Sequence, residues 1–91
     1  MESESYFKNN RQDSITKTFY RNGQIASYCE WSAGLVDGIE KFYYQNGVLK
    51  LIGQNINDIK IGVWQHYTKE GNLIKKEFYS NGVLDSTKIV E

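Results

Sequence analysis

The chain has 91 residues, 11 basic against 11 acidic, one cysteine and no proline. That length makes one domain, 1–91, the even charge argues against an electrostatic grip on nucleic acid or an anionic membrane, and the lone Cys29 excludes an internal disulfide scaffold. The first residues carry neither a basic stretch nor an apolar one, and apolar runs elsewhere are short, so the expected location is cytoplasmic unless a leader precedes this sequence.

Turn residues set the order of elements. Residues 1–13 read as the trailing half of a hairpin unit, with a turn at Asn9-Asn10. Three units of 24 residues follow, at 14–37, 38–61 and 62–85, and 86–91 reads as a terminal strand. Within each unit a first turn falls at Asn22-Gly23, Asn46-Gly47 and Glu70-Gly71, and a second at Ala33-Gly34, Asn57-Asp58 and Asn81-Gly82. Asn-Gly between apolar runs predicts a two-residue type I′ hairpin, in which both central residues need φ > 0. Turn signals this frequent leave no room for long helices. The predicted fold is all-β: an elongated antiparallel meander of about three hairpin repeats and about eight strands.

The leading strands place Ile15/Ile39/Val63, Lys17/Lys41/Gln65 and Phe19/Tyr43/Tyr67 on one face. The other face holds Thr16/Glu40/Trp64, Thr18/Phe42/His66 and Tyr20/Tyr44/Thr68. The first face repeats in chemical type and is expected to be structural, with Ile25, Leu49 and Leu73 opposite it on the trailing strands. The second varies and is expected to be presented, with Tyr20, Phe42, Tyr44, Trp64 and His66 as candidate binding residues. An aromatic strip on a single sheet is either a binding surface or is covered when the sheet curls or dimerises.

Two spacings recur together. One is Gly38-x4-Tyr43-x3-Gly47-x-Leu49, repeated as Gly62-x4-Tyr67-x3-Gly71-x-Leu73; the other is Asp37-Gly38 ahead of the strand. This resembles the variant MORN repeat. Ser14–Ile25 fits the same pattern with Phe19, Gly23 and Ile25 at its key positions, and Phe78–Leu84 carries the tyrosine–Asn-Gly–aliphatic phrase around Gly82. Three departures stand out: Asn55 where Trp31 and Tyr79 stand in the other units, Ile61 in place of an aspartate, and Ser86 in place of a glycine. The resemblance implies a sheet of hairpins that serves as a scaffold for proteins or lipids. It also implies the antitoxin label that bacterial members carry.

Catalytic and metal chemistry find little in the residues. His66 is the one histidine, and a Cys29–His66 metal pair would need two carboxylates to complete it. A Ser27–His66–Asp58 arrangement would draw on residues the repeat already explains. Asp13, Asp37 and Asp85 recur with the period and suit turn chemistry, and no phosphate-loop motif is present. The expected function is therefore non-enzymatic, without metal or cofactor: a scaffold that binds a protein partner, with lipid binding as the alternative. Edge strands expected near Tyr6–Lys8 and Lys88–Val90, together with the aromatic face, make a homodimer a further expectation.

Overall fold

A computed structural model of the chain describes residues 2–7 and 14–90. Its strands are β1 (Glu2–Phe7), β2 (Ser14–Phe19), β3 (Ile25–Ser32), β4 (Leu35–Tyr43), β5 (Leu49–Ile56), β6 (Ile59–Tyr67), β7 (Leu73–Ser80) and β8 (Val83–Ile89). They form one antiparallel sheet in chain order, β1 to β8, so the predicted meander is the observed architecture. The plate measures 44 × 35 × 17 Å. The turn expected at Asn9-Asn10, with Lys8 and Asp13, lies outside the described residues. β1 and β8 are the two edge strands.

The two sets of turns differ in kind, and the stronger signal takes the geometry that was not expected. At Asn46-Gly47, Tyr44 N donates to Val48 O (2.9 Å) and Gly47 N to Tyr44 O (3.0 Å). In that loop only Gly47 has a positive φ, +88°. This is a three-residue loop, a type I turn closed by a glycine bulge, rather than a type I′ turn. Gly23 and Gly71 repeat it, with φ of +88° and +93°. The type I′ conformation belongs to the second set. Both central residues are left-handed at Ala33-Gly34 (+52°, +83°), Asn57-Asp58 (+49°, +68°) and Asn81-Gly82 (+48°, +81°). The three-residue loops therefore define one end of the plate and the type I′ turns the other.

Just inside the loop end, Phe19, Tyr43 and Tyr67 pair with Ile25, Leu49 and Leu73, each at a register shift. Toward the turn end, Gly38 (φ +116°) and Gly62 (φ +70°) sit where β4 and β6 slip against β3 and β5. Such extra residues bend a strand and sharpen its twist. Between the bulges the registers run unbroken. One row is Lys17, Tyr28, Lys41, Ile52, Gln65, Lys76 and Lys88; on the opposite face runs Thr18, Ser27, Phe42, Leu51, His66, Lys75 and Ile89.

Burial departs from the expected roles of the faces in the third repeat, whereas the leading strands of the first two are half-buried on both faces. The buried residues Ala26, Gly53, Asn55 and Trp64 gather on the varied face or at the bulge beside it. Trp64 has the largest fully buried side chain, 2 % exposed, whereas Val63 on the repeating face is 42 % exposed. Variation there is complementary packing. Gly53 stands opposite Trp64 without a side chain, so the indole lies flat over the β5 backbone, and Asn55 leaves room where other units carry Trp31 and Tyr79. Tyr79 closes the site edge-on, with ring centroids 6.3 Å apart, and the Lys60 ammonium lies 5.0 Å from the Trp64 ring.

Candidate binding surface

The loop end is built as a ladder. Tyr20 donates its hydroxyl to Tyr43 O (2.6 Å), and Tyr44 repeats the bond to Tyr67 O (2.7 Å). Beside them Asn22 Nδ2 donates to Gln45 O (2.9 Å) and Asn46 Nδ2 to Lys69 O (3.0 Å). Each asparagine also accepts, through Oδ1, the N–H of Gln24 or Val48. The asparagine of the Asn-Gly pair thus works through its carboxamide, and only the glycine supplies the unusual backbone. Tyr20 and Tyr44, expected as presented residues, have their hydroxyls tied into this ladder while their rings stay half-exposed.

Between the ladder and the Trp64 cluster lies a groove of about 470 Å³. Thr18, Ser27, Phe42 and Leu51, successive members of one row, line it together with Tyr20, Ala26, Tyr43 and Lys50. Its surface is mainly hydrocarbon, because the Thr18 and Ser27 hydroxyls bond each other. Lys50 stands at the rim with its ammonium 5.6 Å from the Tyr44 ring. The structure thus brings Tyr20 and Phe42 together. It removes Trp64 from the expected site, since that ring is buried and presents nothing.

His66 lies farther along the row, half-buried, with Nε2 2.6 Å from Glu77 Oε1; Lys75 Nζ is 4.0 Å from the other Glu77 oxygen. Sequence reasoning missed Ala26, Ser27, Lys50 and Leu51 as groove residues. Only the trailing strand's register against Phe42 places them there, and the bulge beside Leu49 shifts that register.

Other candidate chemistry is dispersed. Asp58 sits in a type I′ turn with Oδ1 accepting Val36 N at 2.7 Å, His66 bonds Glu77, and Ser27 bonds Thr18. These three side chains are separately engaged and do not meet as a triad. No group of three or more potential metal ligands comes together among the described residues. Burial, with the carboxylates of Glu40, Glu30 and Asp58 around it, pushes the Cys29 thiol up to about 11. The hydrogen bond to Glu30 pushes the Tyr28 hydroxyl up to about 12, burial adding to it.

Charge is segregated along the strands. Lys17, Arg21, Lys41, Lys50, Lys69, Lys75, Lys76 and Lys88 occupy the loop half, where Glu2, Glu4 and Glu70 are the carboxylate residues among those described. The turn half holds Glu30, Asp37, Glu40, Asp58, Glu77 and Asp85, with Lys60 as its cation among the described residues. A chain with no net charge therefore presents one basic and one acidic half, and the groove lies in the basic one.

The family model described as MORN repeat variant matches residues 12–32, 36–55 and 60–81. No curated protein and no solved structure matches the chain.

Proposed function

The chain belongs to the MORN repeat variant family, and on that premise we propose that it is a non-enzymatic scaffold that binds a protein partner through the groove around Phe42. Repeats of this family are associated with protein or membrane-lipid interaction. The observation that carries the protein reading is the groove itself. An open apolar recess of about 470 Å³, walled by aromatic rings and set on a rigid sheet, suits an apolar anchor residue of a partner. Following the family resemblance, the partner in view is a toxin-like protein whose activity the bound chain would block.

A lipid reading has one observation in its favour: Lys50 at the rim would meet a headgroup while an acyl chain filled the groove. One experiment separates the two. Tagged wild type and a Phe42→Asp variant are compared by quantitative capture from the native host, and both are sedimented with phosphatidylserine vesicles. A protein captured by wild type and lost with Phe42→Asp supports the proposal. Equal capture by both, or vesicle binding lost with Phe42→Asp and no protein captured, overturns it.

A further inference from the structure

The face opposite the groove is apolar in its turn half. From Tyr28, Ile52 and Lys76 to their turns, β3, β5 and β7 run without an extra residue; the extra residues there belong to β4, β6 and β8. Tyr28, Ile52 and Lys76 therefore share a face with Ser32, Ile56 and Ser80, four residues on, and with the residues paired to those three, Leu35, Ile59 and Val83. Ile39 and Val63 join them by pairing with Gln54 and Phe78. Leu35, Ile56, Ile59, Val63 and Val83 are between 38 % and 62 % exposed. At mid-strand a recess of about 180 Å³ lies between Ile39, Ile52 and Val63, with Gln54 and Gln65 beside them. The chain is one sheet 17 Å thick, so among the described residues no second layer covers this face. A sheet face of this composition is one on which a second layer packs.

We infer that this face binds a second copy of the chain, about a two-fold axis that crosses the strands and reverses their direction. The inference goes beyond the groove reading and uses the other face of the sheet. Charge selects the occupant. Lys41, Lys76 and Lys88 stand in one row of this face. Beyond the aliphatics, the turn end carries Asp37, Asp58 and Asp85. A second sheet laid on with its strands reversed sets the lysine row of each copy over the turn end of the other. The axis then follows the row of Ile39 and Val63, two residues from the lysine row and two from the turn row, about 7 Å each way. Because the axis runs across the sheet, each strand lies over its own counterpart. Lys41 of one copy meets Asp37 of the other on β4, and Lys88 meets Asp85 on β8. The aliphatics close around the axis, as in two aligned sheets packed about 10 Å apart. Area is sufficient: about half of the 44 × 35 Å outline supplies the roughly 800 Å² per partner of a standard interface. An anionic bilayer is the poorer occupant, because it would repel the aspartates as it attracted the lysines, whereas a reversed copy satisfies both. The grooves stay outermost, so the dimer presents two of them back to back.

The test is sedimentation velocity of the full chain across a concentration series, with far-UV circular dichroism to check that each variant is folded. The wild type should form a dimer that weakens with added salt. Val63→Asp, on the axis, should raise the dimer dissociation constant about tenfold or more. Lys41→Asp and Asp37→Lys should each weaken the dimer, and the exchange Lys41→Asp/Asp37→Lys should restore most of the loss, which a merely structural role would not do. If Val63→Asp does not fold, the charge exchange carries the test. Phe42→Asp should leave the dimer intact, so loss of partner capture and loss of the dimer are separable. A monomer at every concentration overturns the inference, as does a dimer indifferent to Val63→Asp and to the single charge reversals in folded protein. A dimer lost instead with Phe42→Asp or with Ile89→Lys overturns it in favour of the groove face or the β8 edge. Sedimentation with phosphatidylserine vesicles by a chain that stays monomeric overturns it in favour of a bilayer.

Discussion

A Cβ atom added to Gly53 would lie 1.9 Å from Cδ2 of Trp64, because the indole rests directly on the β5 backbone. The contact joins the middle repeat to the third and supplies most of the core of a single-layer plate. Gly53→Ala should therefore lower stability by about 1–3 kcal/mol or more, as overpacking does. Trp64→Ser should cost about 3–5 kcal/mol, by analogy with aromatic truncation in cores. Trp64→Phe should cost less, since it keeps a ring and removes an indole N–H that has no acceptor. Thermal melts of the three variants check this order. If Trp64→Ser melted with wild type, the buried placement of the ring would be refuted.

The two kinds of turn respond differently to substitution. Gly47, at φ +88°, should tolerate no β-branched residue, and Gly47→Val should cost more than about 1 kcal/mol. Ala33 occupies the left-handed region at +52°, a position that asparagine fills in the other two type I′ turns. Ala33→Asn should therefore raise stability by up to about 1 kcal/mol, a rise of about 4–8 °C in Tm at the upper end for a domain this size. An unchanged or lower Tm would show that the Ala33 turn is not type I′ in solution.

Tyr44→Phe removes a ladder rung without removing the ring. The lost bond to Tyr67 O should cost about 0.5–1.5 kcal/mol, and Tyr20→Phe about the same through Tyr43 O. Urea unfolding midpoints measure both. Two midpoints equal to wild type would mean that these inter-repeat bonds add nothing to stability.

Cys29 should be sluggish toward alkylating agents. With its thiol held up to about 11, the reactive thiolate at neutral pH is scarcer than in an exposed cysteine, on the order of a hundredfold. The sign for stability follows. The unfolded thiol ionises first, so the unfolded chain binds fewer protons across this range, and stability falls as pH rises from about 8.5 to about 11. Cys29→Ser should remove that part of the alkaline decline. Labelling as fast in native protein as in urea would contradict this environment.

Most of the architecture was legible in the sequence. The 24-residue recurrence of Gly23, Gly47 and Gly71 marks the units, and turn residues mark strand ends, because a tight reversal restricts which residues its backbone admits. That information is local and survives without a partner strand. The turn types were misassigned because Asn-Gly serves both geometries: at Asn46-Gly47 the loop closes one residue later, from Tyr44 N to Val48 O, and Glu70-Gly71 closes the same way without an asparagine, so the strand register and not the dipeptide sets the loop length.

Only tertiary structure decided which face packs. Chemical repetition marked Ile15, Ile39 and Val63 as the structural face and left open whether the aromatic face is covered; Trp64 is buried and Val63 exposed, because complementarity of a large residue and an absent one requires variation between repeats. Charge gave the same lesson. A sum over the chain is zero, but folding back at each turn brings most lysines from distant hairpins to one half of the plate and most carboxylates to the other. Position along the strand axis is set by where the hairpins close, and a composition carries no record of it.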